Sequence, residues 1–526
     1  MLHFAQPTAC LLRSYKHLLA AAVLALAAGC AVFQPPSTPS AAPAQLTRAV
    51  IAVATAENCS RWYDALDTAI AEAGTLDAGS ARISGFPALR ADRFAASFRP
   101  AFGTASSTPT EQQTALLDYL QQLDSEARQF EVANLPSAMR SAYSIPPSAQ
   151  LRALLDACST AMTRAIFIRA DKLSALAQAL TVADHYADWK RALGVYPLTA
   201  IPFFQGVNAW QRNVAQRFAK TAASDAGASS RYVPQTQNAD SAAVMQRFIE
   251  SPRNALGVPQ LNASEWSRLL LLHAPVFDIE HGADGLAATD RIGALAFDSS
   301  ILPVVDSNQP LAYQRIAFTR LHGKTLTQLV YSVWLPERPA DKWIDLLAGR
   351  LDGVIVRITL DERGVPLLVD SIHACGCYHL FFPAPRLAPR PPPTTNTEWA
   401  FSPTALPAMK AGQRVQVRLA ASSHYLLDIR AYNEMPSISD IDYQLRDENV
   451  LRSLPLAGDA RKSLYERDGL VAGTERGERF LFWPMGIASP GAMRQWGTHA
   501  TAFVGRRHFD DADLIEQRFE LLPPQP

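Results

Sequence analysis

A chain of 526 residues, of which 48% are hydrophobic and 19% charged, is too long for one hydrophobic core and too apolar for global disorder, so it predicts two or three folded domains. Lys plus Arg and Asp plus Glu number 49 each, so no net field attracts nucleic acid and we expect no nucleic-acid partner. The sequence has no P-loop, GxSxG, HExxH or dinucleotide-binding GxGxxG, which argues against the commonest hydrolase and nucleotide-dependent mechanisms.

Residues 1–29 have the pattern of a secretory signal. Arg13 and Lys16 precede the run LLAAAVLALAAGC, in which about eleven apolar residues are too few to span a bilayer. The stop LAAGC resembles the lipobox of bacterial lipoproteins, although Ala27 stands where that family prefers Leu. The resemblance implies cleavage before Cys30, lipidation of Cys30 and, because residue 31 is Ala rather than Asp, sorting to the outer membrane. We therefore expect a protein of the bacterial cell envelope, anchored by lipid and facing the periplasm or the cell surface.

A tether and a helical region follow the leader. Residues 30–46 are rich in Pro, Ser and Ala, a composition typical of an extended linker. From 47 to 275 apolar residues recur at three- and four-residue steps, which predicts an all-α domain, interrupted by the polar stretch 221–240. One of its helices is expected to begin at Thr108, with Glu111 closing a capping box.

The second half of the chain has the pattern of strands. After HAPVFDIEHGADG the apolar period changes from about 3.6 to about 2, so residues 285–526 predict a β-rich domain with a Pro-rich loop at 383–393. VIVRITL-DERG-VPLLVDS predicts a hairpin whose loop ends in Gly364, and ERFLFWP, residues 478–484, predicts a further strand. The expected fold class is α+β, with two domains: an all-α N-terminal domain followed by an antiparallel β-rich C-terminal domain.

Apart from Cys10 in the leader and Cys30, the cysteines fall into two pairs. Cys59 and Cys158 each lie on the apolar face of a predicted helix. In an oxidising envelope a disulfide between them would close a loop of about a hundred residues. The alternative is two buried thiols that never meet.

The segment HACGCYH places His373, Cys375, Cys377 and His379 at every second position. If the second strand of the hairpin continued through it, these side chains would share one face but span about 20 Å, which is too far for one ion. Gly376 favours a bend that would gather two or three of them around Zn or Cu. The remaining ligands of such a metal site would have to come from His322, His424, His499 or His508.

Two other interpretations of this segment stay open. Cys375 and Cys377 could form a strained, easily reduced disulfide and exchange electrons, with a flanking imidazole favouring the thiolate. Alternatively both cysteines pack as small apolar side chains on the face that Leu367, Val369 and Phe381 share.

Two further polar clusters are weaker candidates. The domain junction could bind a metal or serve acid/base chemistry, although a polar interdomain loop explains it as well; its residues are His273, Asp278, Glu280, His281 and Asp284. Near the C-terminus, Arg506, Arg507 and His508 could bind an anionic group, although pairing with neighbouring Asp residues explains them equally.

The sequence as a whole favours a membrane-tethered envelope lipoprotein that binds or assembles with an envelope protein or a small molecule. The alternative function is a metal-dependent or thiol-redox envelope enzyme centred on the HACGCYH segment. Its metal form would require Zn or Cu as cofactor.

Overall fold

A computed structural model describes residues 43–102, 110–167, 170–223, 228–235, 240–394, 396–432 and 437–523. The leader, Cys30, most of the tether and Thr108 lie outside these ranges, and so do the predictions made on them. Among the described residues, no helix combines the length and the apolar composition needed to cross a bilayer.

The described residues form thirteen α-helices, most of them in the first half of the chain. They are α1 Pro43–Ala52, α2 Ala56–Ala73, α3 Arg93–Ala96, α4 Glu111–Ala133, α5 Ser137–Ala142, α6 Ser148–Phe167, α7 Ala170–Ala179, α8 Asp188–Leu193, α9 Tyr196–Ala223, α10 Ser241–Glu250, α11 Ala263–His273, α12 Arg479–Phe482 and α13 Leu514–Arg518. The capping box on α4 is formed by Thr110 and Gln113 and not by Thr108 and Glu111. The Thr110 hydroxyl accepts the backbone N–H of Gln113, and the Gln113 side chain accepts the backbone N–H of Thr110.

The described residues form eighteen strands, of which the longest lie near the centre of the chain. They are β1 Ala81–Ile83, β2 Phe86–Ala91, β3 Ser229–Pro234, β4 Val276–Glu280, β5 Ala294–Phe297, β6 Pro303–Asp306, β7 Leu311–Leu321, β8 Lys324–Arg338, β9 Gly349–Leu360, β10 Pro366–His373, β11 Leu380–Pro383, β12 Leu387–Pro389, β13 Val415–Leu419, β14 Leu426–Ala431, β15 Ile441–Asp447, β16 Leu454–Pro455, β17 Arg461–Lys462 and β18 Phe519–Leu521.

Ten of these strands form one sheet, in the order β11-β10-β9-β8-β7-β15-β3-β4-β13-β14. The run from β7 to β11 is an antiparallel meander, and its predicted hairpin between β9 and β10 is confirmed. β15 runs parallel to both β7 and β3, and β13 runs parallel to β4. The sheet is therefore mixed, whereas an antiparallel sheet was expected. The α+β class, with helices first and the sheet second, is confirmed.

The sheet is buried on both faces. Leu329, Tyr331 and Val333 of β8 pack against helices α9 to α11, whereas Val330 and Trp334 of the same strand pack against the segment after residue 450. This double burial explains the nearly continuous apolar runs of β8 to β10.

The boundary between helices and sheet differs from the sequence-based one. β3 lies inside the range 47–275 that was expected to be all-α, and so does the small hairpin of β1 and β2. Helices α9 to α11 share a core with the sheet, whereas residues 43–180 supply nearly all the buried residues of two further hydrophobic clusters. β3 was missed because it is short and lies in a polar stretch, so only its pairing with β4 and β15 defines it.

The segment ERFLFWP was predicted as a strand, and this prediction is wrong. Residues Arg479–Phe482 form helix α12, and a short 3-10 turn, Trp483–Met485, follows it. The aromatic residues that suggested a strand are largely exposed instead of paired in a sheet.

The disulfide between Cys59 and Cys158 is present. It joins α2 to α6 across 99 residues, and both cysteines are fully buried in one cluster of the helical region. A cross-link over a loop of this length restricts the unfolded chain strongly.

Removing this disulfide should lower the free energy of unfolding. On the chain-entropy estimate, Cys59→Ser combined with Cys158→Ser should cost about 4 to 5 kcal/mol. Urea unfolding with and without reductant measures the loss. The reductant should destabilise the native chain and leave the double variant unchanged; a native chain indifferent to complete reduction would contradict this role.

Candidate functional site

The HACGCYH segment is a turn between β10 and β11. β10 ends at His373, whose carbonyl accepts a bond from the Gly376 N–H at 2.8 Å and whose N–H donates to the Cys377 carbonyl at 3.0 Å. The chain then reverses, and Leu380 of β11 pairs with Ser371 of β10. The bend predicted at Gly376 is confirmed, and the continuous strand is wrong.

Gly376 is required at this bend for two reasons. Its φ is +88°, a left-handed conformation that side chains disfavour. In addition, a Cβ here would lie 2.8 Å from the Ala500 carbonyl oxygen. The turn is thus pressed against the C-terminal segment.

Each histidine of the segment is held by a buried carboxylate. His373 Nδ1 lies 3.3 Å from Asp352 Oδ1, and His379 Nε2 lies 2.9 Å from Asp370 Oδ2. Burial lowers the pKa of His379 to about 3, so its ring is neutral and donates to Asp370. Arg357 completes this site with two bonds to Asp370.

Among the other histidines considered as ligands, His424 joins this network. Its Nδ1 lies 2.9 Å from Asp352 Oδ2 and its Nε2 lies 3.1 Å from Asp290 Oδ1. Burial would lower the pKa of His424, but the hydrogen bonds with both carboxylates raise it. His499 bonds to the Ala374 carbonyl, and His322 is exposed.

The four residues of the segment do not converge on a point. His373 and His379 are bound by different carboxylates on different strands. In the part of the chain that the structure describes, no group of three or more His, Cys, Asp or Glu side chains could hold a metal ion. The zinc or copper arrangement considered from the sequence is therefore not formed by these side chains as they stand.

Cys375 and Cys377 are free, buried and in contact with each other. The hydrogen bond with Cys375, together with burial, raises the pKa of Cys377 well above its ordinary value, so Cys377 is a protonated thiol at neutral pH. Arg494 fixes the turn that carries them, since its Nε donates to the Cys375 carbonyl at 3.0 Å and its N–H to the Ala374 carbonyl at 2.9 Å.

Both cysteines line a cavity of about 620 Å³, a volume typical of small-molecule sites. Helix α9 forms one wall, α12 and the segment 487–503 form the others, and the HACGCYH turn lies between them. The apolar lining consists mainly of Pro202, Phe203, Val207, Trp210, Leu347, Leu481, Phe482, Ile487, Pro490, Ala500, Ala502 and Phe503. The polar lining consists of Cys375, Cys377, Tyr378, His379, Glu398, Tyr425, Glu478 and Thr501.

Two carboxyl groups reach this cavity, and their environments differ. The charge of Glu398 is compensated by two partners. Its Oε1 lies 3.0 Å from Arg507 Nη2, and its Oε2 accepts a hydrogen bond from the Phe503 N–H at 2.8 Å. Glu478 is only 5% exposed and makes no side-chain hydrogen bond or ion pair with any described residue. Burial raises the pKa of Glu478 to about 7.

The indole N–H of Trp210 is a second polar atom without a partner. It is buried on the wall formed by α9 and has no hydrogen bond with the described residues. The indole nitrogen is fully covered, so it is the unpaired carboxyl of Glu478 that faces the cavity. A mostly apolar cavity with such a group has the composition expected of a site that orients a mostly apolar molecule.

The three residues considered for anion binding separate in the structure. Arg507 is buried and holds Glu398 and neighbouring carbonyls, Arg506 pairs on the surface with Asp184 and Asp188, and His508 lies between Asp184 and Asp511. All three side chains are thus paired with carboxylates of this chain.

The residues of the domain junction also separate. Asp278 and Glu280 of β4 both bind Arg418, at 3.5 and 3.1 Å. His273 is fully buried, and burial lowers its pKa to about 3. His281 and Asp284 lie in the following loop.

Sequence reasoning did not find Glu478 or the wall of α9. The available signals were an acidic residue at the edge of the aromatic run FLFW and the apolar pair Val207 and Trp210 on a helix face. Neither signal indicates a cavity without the tertiary packing. No family model, curated protein or solved structure matches the chain.

The buried carboxyl of Glu478 should make stability depend on pH. Because its folded pKa lies above the unfolded value, the folded state keeps a proton that the unfolded state loses, so stability falls as pH rises from about 5 through about 7. Glu478→Gln should therefore be more stable than the native chain by on the order of 3 kcal/mol at about pH 8, with little difference at about pH 5.

Urea unfolding at both pH values measures this difference. Glu475 is exposed three residues away, so Glu475→Gln is the matched control and should change stability by less than about 0.5 kcal/mol. Parallel pH profiles for the native chain and Glu478→Gln would contradict the assignment.

Proposed function

We propose that this protein is a lipid-anchored protein of the bacterial envelope whose folded part binds a small, largely apolar molecule in the cavity beside the HACGCYH turn. The leader and the LAAGC stop support the anchor and the location. The cavity of about 620 Å³ carries the binding function. The sequence alone favoured a binding role, and the cavity adds the class of ligand to it.

The lining favours an apolar ligand with a small polar group. Removing apolar surface from water stabilises a complex by about 25 cal/mol per Å², and the cavity presents mostly aromatic and aliphatic side chains. The unpaired carboxyl of Glu478, which lines the cavity, can orient the ligand by a hydrogen bond.

Filling the cavity should weaken binding. Gly206 lies on the α9 wall, and a Cβ there meets no atom within 4 Å. Gly206→Trp should therefore weaken the binding of the uncharged fluorophore N-phenylnaphthylamine by about tenfold or more. Fluorescence titration of the folded protein measures this affinity.

The matched control is Gln205→Trp, which places the same side chain at the neighbouring exposed position, outside the cavity lining. It should bind the fluorophore as the native chain does. A native chain that does not bind the probe, or equal losses in both variants, would reject the cavity as a binding site.

The lipid anchor requires Cys30. A Cys30→Ser variant should escape lipidation, so it should lose the acyl mass at residue 30 and cease to be processed as a lipoprotein. Mass spectrometry of the N-terminal peptide and sensitivity of processing to globomycin measure this. An unmodified Cys30 in the native mature chain would reject the anchor.

A second candidate function is thiol–disulfide exchange at the same turn. The specific observation is that Cys375 and Cys377 are free, contact each other and both line the cavity. In such a reaction the two thiols would give up two protons and two electrons and form one disulfide, while a disulfide substrate would be split into two thiols. The raised pKa of Cys377 means that its attack at neutral pH would be slow.

Incubation with glutathione disulfide tests this second function. The native chain should lose two hydrogens from residues 375–377, and Cys375→Ser should instead retain a mixed disulfide on Cys377, both seen by mass spectrometry. The Cys59–Cys158 disulfide should remain unchanged as an internal control. If both thiols stay unmodified in folded protein, exchange chemistry is rejected and the binding function is unaffected.

A further inference from the structure

Exposed apolar side chains concentrate around the opening of the cavity. Of the seventeen large hydrophobic residues that are exposed in the described part of the chain, eleven lie in the segments 189–201, 343–346 and 480–483. Trp343 is 95% exposed, Phe480 73% and Leu198 66%. We call these three segments the rim.

The three segments of the rim adjoin one another. Gly194 of the first segment lies close to Pro484, which directly follows the third segment. A Cβ at residue 194 would lie 2.5 Å from the Cβ of Pro484. The rings of Phe203 and Phe482 pack edge to face at 5.3 Å. The Glu478 N–H donates to the Leu346 carbonyl at 3.1 Å, which joins the second segment to the third.

The rim is continuous with the cavity. Leu481 belongs to both, since it lines the cavity and is 56% exposed. Pro202, directly after the first segment, also lines the cavity and is exposed. An apolar surface therefore runs from the outside of the protein into the binding site.

The composition of the rim fits a bilayer surface. Trp189, Trp343 and Trp483 are exposed in it, and tryptophan is the residue most typical of the boundary between headgroups and acyl chains. Charges within the rim and up to two residues from it in sequence are few and balanced, with Lys190, Arg191, Lys342 and Arg479 against Asp188, Asp341, Asp345 and Glu478. Such a surface is suited to zwitterionic lipid and not to a strongly anionic partner.

A bilayer is also within reach of the lipid-anchored form. Twelve residues separate Cys30 from Pro43, where the described fold begins. Such a segment spans at most roughly 45 Å, so an anchored chain would keep its folded part close to the membrane.

We propose that the rim docks on the surface of a zwitterionic phospholipid bilayer. In the docked state the cavity opens towards the acyl-chain region. An apolar ligand could then pass between the bilayer and the cavity without crossing water, a consequence that rests on the proposed binding function.

The test uses the chain from residue 31 onward, which has no lipid anchor and keeps every described residue. It should sediment with phosphatidylcholine vesicles at low and high salt alike, and vesicles with brominated acyl chains should quench its tryptophan fluorescence. Replacing Leu198, Trp343 and Phe480 together by Asp should reduce vesicle affinity by roughly a hundredfold. None of these three residues lines the cavity, so binding of N-phenylnaphthylamine should be unchanged.

The matched control replaces three exposed isoleucines outside the rim, Ile249, Ile301 and Ile438, by Asp. This variant should bind vesicles as the native chain does. Equal losses in both triple variants, or no vesicle binding by the native chain, would overturn the proposal. A dimer that the rim variant dissociates, without vesicle binding, would overturn it too and would assign the rim to a second copy of the chain. Because probe binding is measured separately, failure of docking is distinguishable from failure of the cavity.

Discussion

Two buried carboxylates determine the shape of the site. Asp352 binds His373 and His424, and Asp370 binds His379 and Arg357. A buried charge is tolerated only when it is paired, and removal of one partner typically costs about 3 to 5 kcal/mol. The two ends of the HACGCYH turn, His373 and His379, are therefore held by Asp352 and Asp370. Cys375 and Cys377, between these ends, lie on the cavity wall. The histidines that suggested metal ligation are already engaged by these carboxylates.

The two carboxyl groups of the cavity differ in how their charge is compensated. Glu398 has Arg507 and a backbone N–H as partners, so it is a fixed and compensated part of the wall. Glu478 has no such partner, and burial shifts its protonation towards neutral pH. A site of this kind can change its charge when a ligand or a change in pH supplies or removes a proton. The arginine pair noticed in the sequence thus contributes to the site indirectly, through Arg507.

Local features of the sequence were sufficient for local structure. Alternation predicted the hairpin of β9 and β10, and glycine placement favoured the bend at Gly376. Helix faces offered the pairing of Cys59 with Cys158 as one of two alternatives. The strand predicted over residues 478–484 failed because an aromatic run has the same composition whether it pairs in a sheet or lies exposed on a short helix. The cavity could not be inferred at all, because its walls come from residues about 300 positions apart in the chain, and no periodicity in a sequence records such a distance.

The position of β15 in the sheet has a consequence for the order in which the chain can fold. β15 lies between β7 and β3, so among the described strands it alone joins the meander of β7 to β11 to the group formed by β3, β4, β13 and β14. The two parts of the sheet can therefore join only after residues 441–447 have formed β15. β3, which pairs with β15, lies more than 200 residues earlier in the chain. Until then β3 and β7 are open edges, which are the part of a sheet most prone to pair with another chain. The chain therefore depends on keeping these edges apart from other proteins until its last long strand is inserted.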